Sequence, residues 1–507
     1  MKLKNLKYAA LLAAVPLGAQ SVSAATYDLY ITGSNAFRSS VISASANILT
    51  NPVASFAGGT SLTTAIQVTY TGKVGADTWN LYFSSIGNEA AIKFTAQTSA
   101  PLPTLPYLTL ANAQGAVTKG VAPLPPTGGT LAATPVFAQV TPQVTSADSW
   151  QASTHYRGSF GGSTYGPLVG PTIPGLPASV VGVQGYKFIA SARDSAGNSY
   201  LPATFTGKLT TKANSTVATL YAAIPGLKDG ALITGNPNIP FGSSIRAISG
   251  TSVTLSIPAT AAGTRTVTEF SYDGIGNIST QLARKAFTSA GGAPAKLSQF
   301  SGSNADANIT VYAVGRNHDA GQRQNPIFET GIDKPGTVVT AIQQYYPLDI
   351  DGKIIGTTGA GTTITDIELV PAEKVNGVSY LVGQSGYDAG GKAQKVFLAT
   401  NALPNSLFLS YFAPGDAKTL LATGNAQELS YNGFYYSPTA IEQGQYTLWN
   451  YVHFYYLSSL NSKLKGTANL IAKQLAAADA SVAGVKIDSN FKAVRIPATT
   501  DGAVVSR

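Results

Sequence analysis

Residues 26–49, TYDLYITGSNAFRSSVISASANIL, constrain the fold most. The first eight alternate like a strand, Gly33, Ser34 and Asn35 make a turn, and Phe37, Val41, Ile42 and Ile48 then recur at helical spacing. A strand that runs through a short polar loop into a helix is a βα unit, which buries its apolar faces only within a sheet covered by helices. The pattern returns: VTYTG and DTWNLYF read as strands, SSIGN as a loop, and EAAIKFTAQ as a short helix starting at Glu89. It returns again after Asn277, where ISTQLARKAFTS reads as a helix capped by Ser279 or Thr280, NITVYAVG as a strand, and the chain from Gln322 as a helix.

Two stretches break this texture. From about Ala100 to Pro177, APLPTLPY, APLPPTGG and GPLVGPTIPGLPAS read as extended loops and surface excursions, followed by the buried-strand signal VVGVQGYKFIASA. From 207 to 270, TVATLYAA, GALITG, SSIRAISG, TSVTLSIPA and TRTVTEFSY are short strands between turns, which predicts a small all-β module inserted into one α/β system. That segment resembles a β-rich module of phage-tail and bacterial surface proteins. Near the end, IEQGQYTLWNYVHFYYLSSL reads as a long aromatic helix and NSKLKGTANLIAKQLAAADASVAG as an amphipathic one.

The N-terminus reads as a secretory leader: basic MKLKNLK, an apolar YAALLAAVPLGA too short to span a bilayer, and SVSAA for cleavage after Ala24 or Ala25. Loss of Lys2, Lys4 and Lys7 would take three charges from the net +9 and leave +6. About 480 remaining residues suggest two to four domains. Charged residues are 11% of the chain, against roughly 25% in ordinary soluble domains. With no Lys/Arg-rich run, the sequence speaks against a nucleic-acid partner. No later stretch has the roughly 18 unbroken apolar residues of a membrane helix. The absence of cysteine excludes disulfides and thiolate metal sites, so stability must come from core burial. The expectation is a soluble, exported, monomeric protein, periplasmic or at the cell surface.

Three loops share one design: TGSNAF (32–37), SSIGNEA (84–90) and RNHDAGQR (316–323) each place small or polar residues where a helix should begin. Helix N-termini leave N–H groups unpaired and carry partial positive charge, so several converging on one point would bind an oxyanion. Arg316 or Arg323 could add bidentate hydrogen bonds. Ordinary capping by Ser, Asn and Asp is the competing explanation.

The runs ITGSNAFRSSV, FSSIGNEAAI, ADSWQAST, ISTQLARKAF with VYAVGRNHDAGQR, and LSYNGFYYSPTAIEQGQYTLWNYVHFYY occur in the order seen in phosphate-type (type II) periplasmic substrate-binding proteins, which the chain resembles over most of 27–205 and 275–460. The resemblance implies two α/β lobes joined by hinge strands that close on an oxyanion, and delivery to a membrane (ABC) transporter. On that pattern 26–177 is the N-terminal part of lobe I, 178–206 begins lobe II, 271–400 completes it, and 401–507 returns to lobe I with C-terminal helices. The implied ligand-binding positions are Ser34, Asn35 and Phe37 in the first loop and Ser84, Ser85 and Gly87 in the second. Asp148 would accept a hydrogen bond from a protonated phosphate, and Arg316, Ala320, Gly321 and Gln322 form the third loop. There the family expects Arg followed by Ser-Gly-Thr, so Ala320 and Gln322 stand where hydroxyls belong. Each hydrogen bond to a charged group is worth roughly 1.5–3 kcal/mol, which puts the usual ligand in question unless Gln322 or His318 substitutes.

Other motifs yield little. GYDAGGKA (386–393) mimics a phosphate loop but has Ala393 in place of the magnesium-binding hydroxyl, and the resemblance puts it at a strand end returning to the first lobe. DIDG at Asp349 reads as a turn, since further calcium-loop ligands are missing. His155, His318 and His453 are too scattered for a metal site, and no nucleophile has a legible partner, so neither enzyme nor cofactor is expected. Tyr446, Trp449, Tyr451, Phe454 and Tyr455 read as core or hinge packing. The sequence thus points to an exported protein capturing phosphate or a relative; the alternative is a surface or adhesion-type protein carrying a non-binding version of the scaffold.

Overall fold

A computed structural model describes residues 24–120, 125–288, 293–333, 342–375, 378–477, 487, 491–496, 501 and 503–506. The basic and apolar parts of the expected leader lie outside the described residues. The helices are α1 (Arg38–Ile48), α2 (Asn88–Ala96), α3 (Thr280–Phe287), α4 (Ser298–Ser301), α5 (Gly321–Glu329), α6 (Gly390–Leu398), α7 (Pro414–Leu421), α8 (Pro438–Glu442) and α9 (Ser462–Ala477). Ser279 caps α3, its hydroxyl accepting from the Leu282 N–H, as the sequence predicts.

An eleven-stranded mixed sheet is built around β1 (Thr26–Gly33), with β2 (Thr50–Ala57), β3 (Gln67–Val74) and β4 (Asp77–Ser85) on one side. β1 runs parallel to β4 and to Val144–Ala147, so the loops after all three strands open at the same end. That shared end is what brings the first two predicted loops together. Leu29, Ile31, Val41, Ile42, Phe454 and Ile471 form the core beneath α1 and α9. Each such side chain contributes about 1.5–3 kcal/mol on burial.

The expected long aromatic helix is not formed. Gly444, at φ 72°, follows the short α8, and Trp449–Leu457 is a strand, antiparallel to Val144–Ala147 and to Val180–Gly185. With both faces covered, the strand reads as a nearly continuous apolar run, interrupted only by Asn450 and His453, which periodicity alone does not separate from a helix. Its aromatic and β-branched residues favour the pleated form, and alternate side chains serve opposite faces. Val452, Phe454 and Tyr456 join the core under α1 and α9, while Tyr455 meets Ile92 and Ala96 of α2. The expectation that these aromatics pack as core holds; the helix does not.

Within the second sheet, five-stranded, Ser406–Phe412 pairs antiparallel with Lys187–Ser191 and parallel with Thr310–Ala313. All seven of its residues are buried. Leu407, Leu409 and Tyr411 pack with Phe287 of α3 and Ile327 of α5, and Phe408 and Phe412 pack with Phe397 of α6 and Leu420 of α7. Because Ser406–Phe412 belongs here, the chain rejoins the large sheet at Trp449 rather than from residue 401. Tyr186 alone separates Val180–Gly185, in the large sheet, from Lys187–Ser191, in the second.

Residues 203–272 contain a six-stranded antiparallel sheet with its own core of Leu209, Leu220, Ile233, Val253, Leu255 and Phe270. Ala203–Thr211 and Gly263–Tyr272 are its two longest strands and pair with each other. Asp349 is a turn organiser, its carboxylate accepting from the N–H groups of Asp351, Lys353 and Gly361.

Candidate functional site

The first loop leaves β1 at Gly33, where a Cβ would lie 2.0 Å from the Ser146 hydroxyl, so only glycine lets the two strands approach this closely. The Ser34 N–H donates to the Ser146 carbonyl at 3.0 Å. Its hydroxyl accepts from the Ala36 N–H at 3.2 Å and lowers the pKa of the nearby Asp148. Phe37 occupies the cap position of α1 but sends its ring into the core, and no side chain caps that helix.

In the second loop Gly87, at φ 111°, turns the chain into α2, and its N–H donates to the Gly33 carbonyl at 3.3 Å. Ser84 is buried with its hydroxyl oxygen unpartnered, and Ser85 is half-buried. The Glu89 N–H donates to the Asp319 carbonyl at 3.0 Å, so the third loop itself covers the N-terminus of α2.

Asp148 is buried at the junction of all three loops. Its Oδ2 accepts from the Tyr186 hydroxyl at 2.5 Å, its N–H donates to Asn88 Oδ1 at 2.8 Å, and its Oδ1 has no partner. Burial pushes the carboxyl pKa up, while the bonds from Tyr186 and Ser34 and the charge of Arg316 pull against it. A Cβ on Gly321 would sit 2.3 Å from Asp148 Oδ1 and 2.6 Å from Asn88 Nδ2. Loop and carboxylate are therefore in direct contact at Gly321.

Arg316 is committed to protein acceptors. Nε donates to the Tyr387 carbonyl at 3.0 Å, Nη2 to the Asp388 carbonyl at 2.9 Å, and Nη1 to Gln322 Oε1 at 2.6 Å. Gln322 thus fills the position where a hydroxyl was expected by binding the arginine itself, and it stands near enough to Asp416 to lower that carboxyl's pKa. Ala320 is the buried cap residue of α5. The other charges of the loop are likewise used internally. His318 stacks on Tyr380 at 4.5 Å with Nδ1 2.9 Å from Glu373, and Arg323 Nη2 donates to the Gln384 carbonyl at 2.5 Å. Burial opposes protonation of His318, yet Asp319 and Glu373 carry its pKa above the ordinary value.

The expected cage is accordingly divided: Asn35, Ser85, Arg316 and Gln322 front a cavity of about 670 Å³, and Ser34, Phe37, Ser84, Gly87, Asp148, Ala320 and Gly321 are not part of its wall. Its remaining walls were not foreseen as binding residues: Arg38 of α1, Gly390 and Gly391 at the start of α6, Pro414, Gly415, Asp416 and Lys418 of α7, with Gln184 and Tyr436. Three helices, α1, α6 and α7, present their first turns to one space, and neither α6 nor α7 has a side-chain cap. The sequence did carry signals for both later helices. GYDAGGKA, discounted as a phosphate loop, leads into α6 and supplies the carbonyls that hold Arg316; APGD places proline in the first turn of α7 and an acid behind it.

Electrostatically the cavity is cationic with one counter-charge. Burial lowers the pKa of Arg38 and of Arg316, and raises that of Asp416 against the pull of Arg316, Gln322 and Arg38. Such a site can hold an anion by N–H groups and guanidinium charge, and can test whether the ligand donates a hydrogen bond.

No family model and no curated protein matches the chain. Among solved structures it is similar to a phosphate ABC transporter substrate-binding protein with bound phosphate from Clostridium perfringens, at 9% identity and TM-score 0.35, over 91% of this chain and 100% of that one. It is also similar to an ABC-type phosphate transport receptor from Vibrio cholerae, at 10% identity and TM-score 0.24, over 56% and 73%. A possible phosphate binding protein from Planctomyces limnophilus matches at 9% identity and TM-score 0.30, over 90% and 99%. All three lie below the similarity at which a shared fold is shown, so membership of the family stays a proposal.

Proposed function

We propose that the protein is a non-enzymatic, exported solute-binding protein that captures a small anion in the cavity fronted by Asn35, Ser85, Arg316 and Gln322. The observation that carries this reading is the meeting of three helix N-termini with Arg38, Arg316 and Lys418 around one space of about 670 Å³. Anion binding there satisfies N–H groups that no side chain caps and offsets buried positive charge. Phosphate or a phosphate-like group suits the donor set, and delivery to a membrane transporter is the corresponding physiological role. Among the described residues no helix is long and apolar enough to cross a membrane.

A second reading is a surface or adhesion-type protein with a non-binding scaffold. It is favoured by the contact of Gly321 with Asp148 and by the three protein acceptors around Arg316.

A thermal-shift screen of the purified protein against phosphate, sulfate, phosphonates and carboxylates separates the two. A ligand at a hundred times its dissociation constant adds about 2.7 kcal/mol to the folded state and raises Tm. The anion-capture reading expects such a rise with at least one of them; no rise with any would leave the second reading.

A further inference from the structure

The cavity is too large for an inorganic oxyanion and contains one group that such a site does not need. A tetrahedral oxyanion has five heavy atoms; at about 30 Å³ each, a water's share of volume, it fills on the order of 150 Å³. That leaves most of the 670 Å³ for the rest of a ligand, within the size range of pockets for organic molecules.

Among the described residues lining that cavity, Asp416 is the one acid. It stands in the first turn of α7, where a helix dipole favours a carboxylate, and it faces Arg38, Arg316 and Gln322. Its place is closely fitted. A Cβ on Gly390 would lie 2.6 Å from Asp416 Oδ2 and 3.5 Å from Arg316 Nη1, so only glycine at the start of α6 lets carboxylate and guanidinium share this wall. An ionised carboxylate accepts hydrogen bonds and donates none. Beside an anion without donors it is repulsive; beside an anion that carries a hydroxyl or an ammonium it is a partner, and the same group then rejects the analogue that lacks one.

Resting on the anion-capture reading, we propose that the ligand is an organic anion bearing its own hydrogen-bond donor, and that Asp416 determines specificity by accepting that hydrogen bond. The acidic head group lies against Arg38, Arg316 and the first turns of α1 and α6. The donor-bearing end lies against Asp416 at the start of α7. Asp148, the acceptor implied by the family resemblance, takes the Tyr186 hydroxyl on Oδ2 and is not part of the cavity wall, which leaves Asp416 as the carboxylate that faces the cavity.

The test is calorimetric titration of the full chain with four probes: inorganic phosphate, propyl phosphate, 2-hydroxyethyl phosphate and 2-aminoethyl phosphate. At least one donor-bearing ester is expected to bind roughly tenfold or more tighter than propyl phosphate, the effect of one hydrogen bond to a charged group. In Asp416→Asn, with the folded state checked by its melting transition, that ratio is expected to fall below about threefold. If propyl phosphate binds the wild-type protein as tightly as both donor-bearing esters, the role of Asp416 is overturned while anion capture stands. Should none of the four bind, this inference is overturned for phosphate head groups, and anion capture fails as well if the thermal-shift screen with sulfate, phosphonates and carboxylates is also negative. The wild-type ratio decides even where the variant does not fold.

Discussion

The hydroxyl of Tyr186, the one residue between the strands that pass from the large sheet to the second, donates to Asp148 Oδ2 at 2.5 Å. The bond ties the crossing point of the two sheets to the junction of the three predicted ligand loops. Tyr186 is further held by a bond from its N–H to the Leu448 carbonyl and by the Tyr446 hydroxyl on its own carbonyl. Replacing Tyr186 with Phe keeps the ring and removes the donor, leaving a buried carboxylate with less support. A loss of about 1–3 kcal/mol in denaturant unfolding is expected; an unchanged midpoint would mean that the carboxylate is solvated rather than held by Tyr186.

Gly321→Ala puts a methyl where Asp148 Oδ1 and Asn88 Nδ2 already stand, at 2.3 and 2.6 Å. Overpacking of this kind costs typically about 1–3 kcal/mol. The variant is expected to melt lower and to show faster amide exchange at Glu89, whose N–H depends on the Asp319 carbonyl two residues before Gly321. Normal protection at Glu89 with normal stability would contradict the close contact of Gly321 with Asp148 and Asn88.

Arg316→Lys preserves charge but cannot span two carbonyls and Gln322 from one planar fork. Buried acceptors lose their partners, and a destabilisation on the order of 3 kcal/mol is expected from chemical denaturation. An effect under about 0.5 kcal/mol would show that the arginine's bonds to 387 and 388 are dispensable.

His453 and Asp501, both fully buried around Trp150, respond to pH with opposite signs. Burial pushes the His453 imidazole down to about 3, and burial pushes the Asp501 carboxyl up to about 6 against Ser153, Arg495 and the Trp150 N–H. Between about pH 4 and 6 the native Asp501 keeps a proton that the unfolded chain has released, so its contribution to stability falls as pH rises. Below about pH 6.5 the unfolded chain protonates a histidine that the native state keeps neutral, so that contribution falls as pH drops. The two slopes oppose each other. In His453→Phe the histidine slope disappears, and the stability of wild type minus variant should increase from pH 4.5 to 6.5 in urea melts. A difference that does not vary with pH would contradict a neutral buried imidazole.

Much of the local structure was legible because short-range rules govern it. Ser279 before Thr280 marks the start of α3, alternation marks β1 and β4, and the turn-separated strands of 207–270 form the six-stranded sheet spanning 203–272. Trp449–Leu457 reads as helix in the sequence because a strand covered on both faces shows no period-two signal. The difference lies in hydrogen bonds to Val144–Ala147 and Val180–Gly185, some 300 residues away in the chain.

What the sequence determined by itself is the set of βα units, the glycines that let loops approach strands, and the scarcity of charge that makes each buried arginine costly to place. Which loop faces which was decided only in three dimensions. Gly321 lies in direct contact with Asp148 and Asn88. Asp416, Arg38 and the starts of α6 and α7 came together around the cavity although nothing in their spacing links them. Long-range sheet pairing fixes these positions, and pairing depends on packing over hundreds of residues rather than on any local motif.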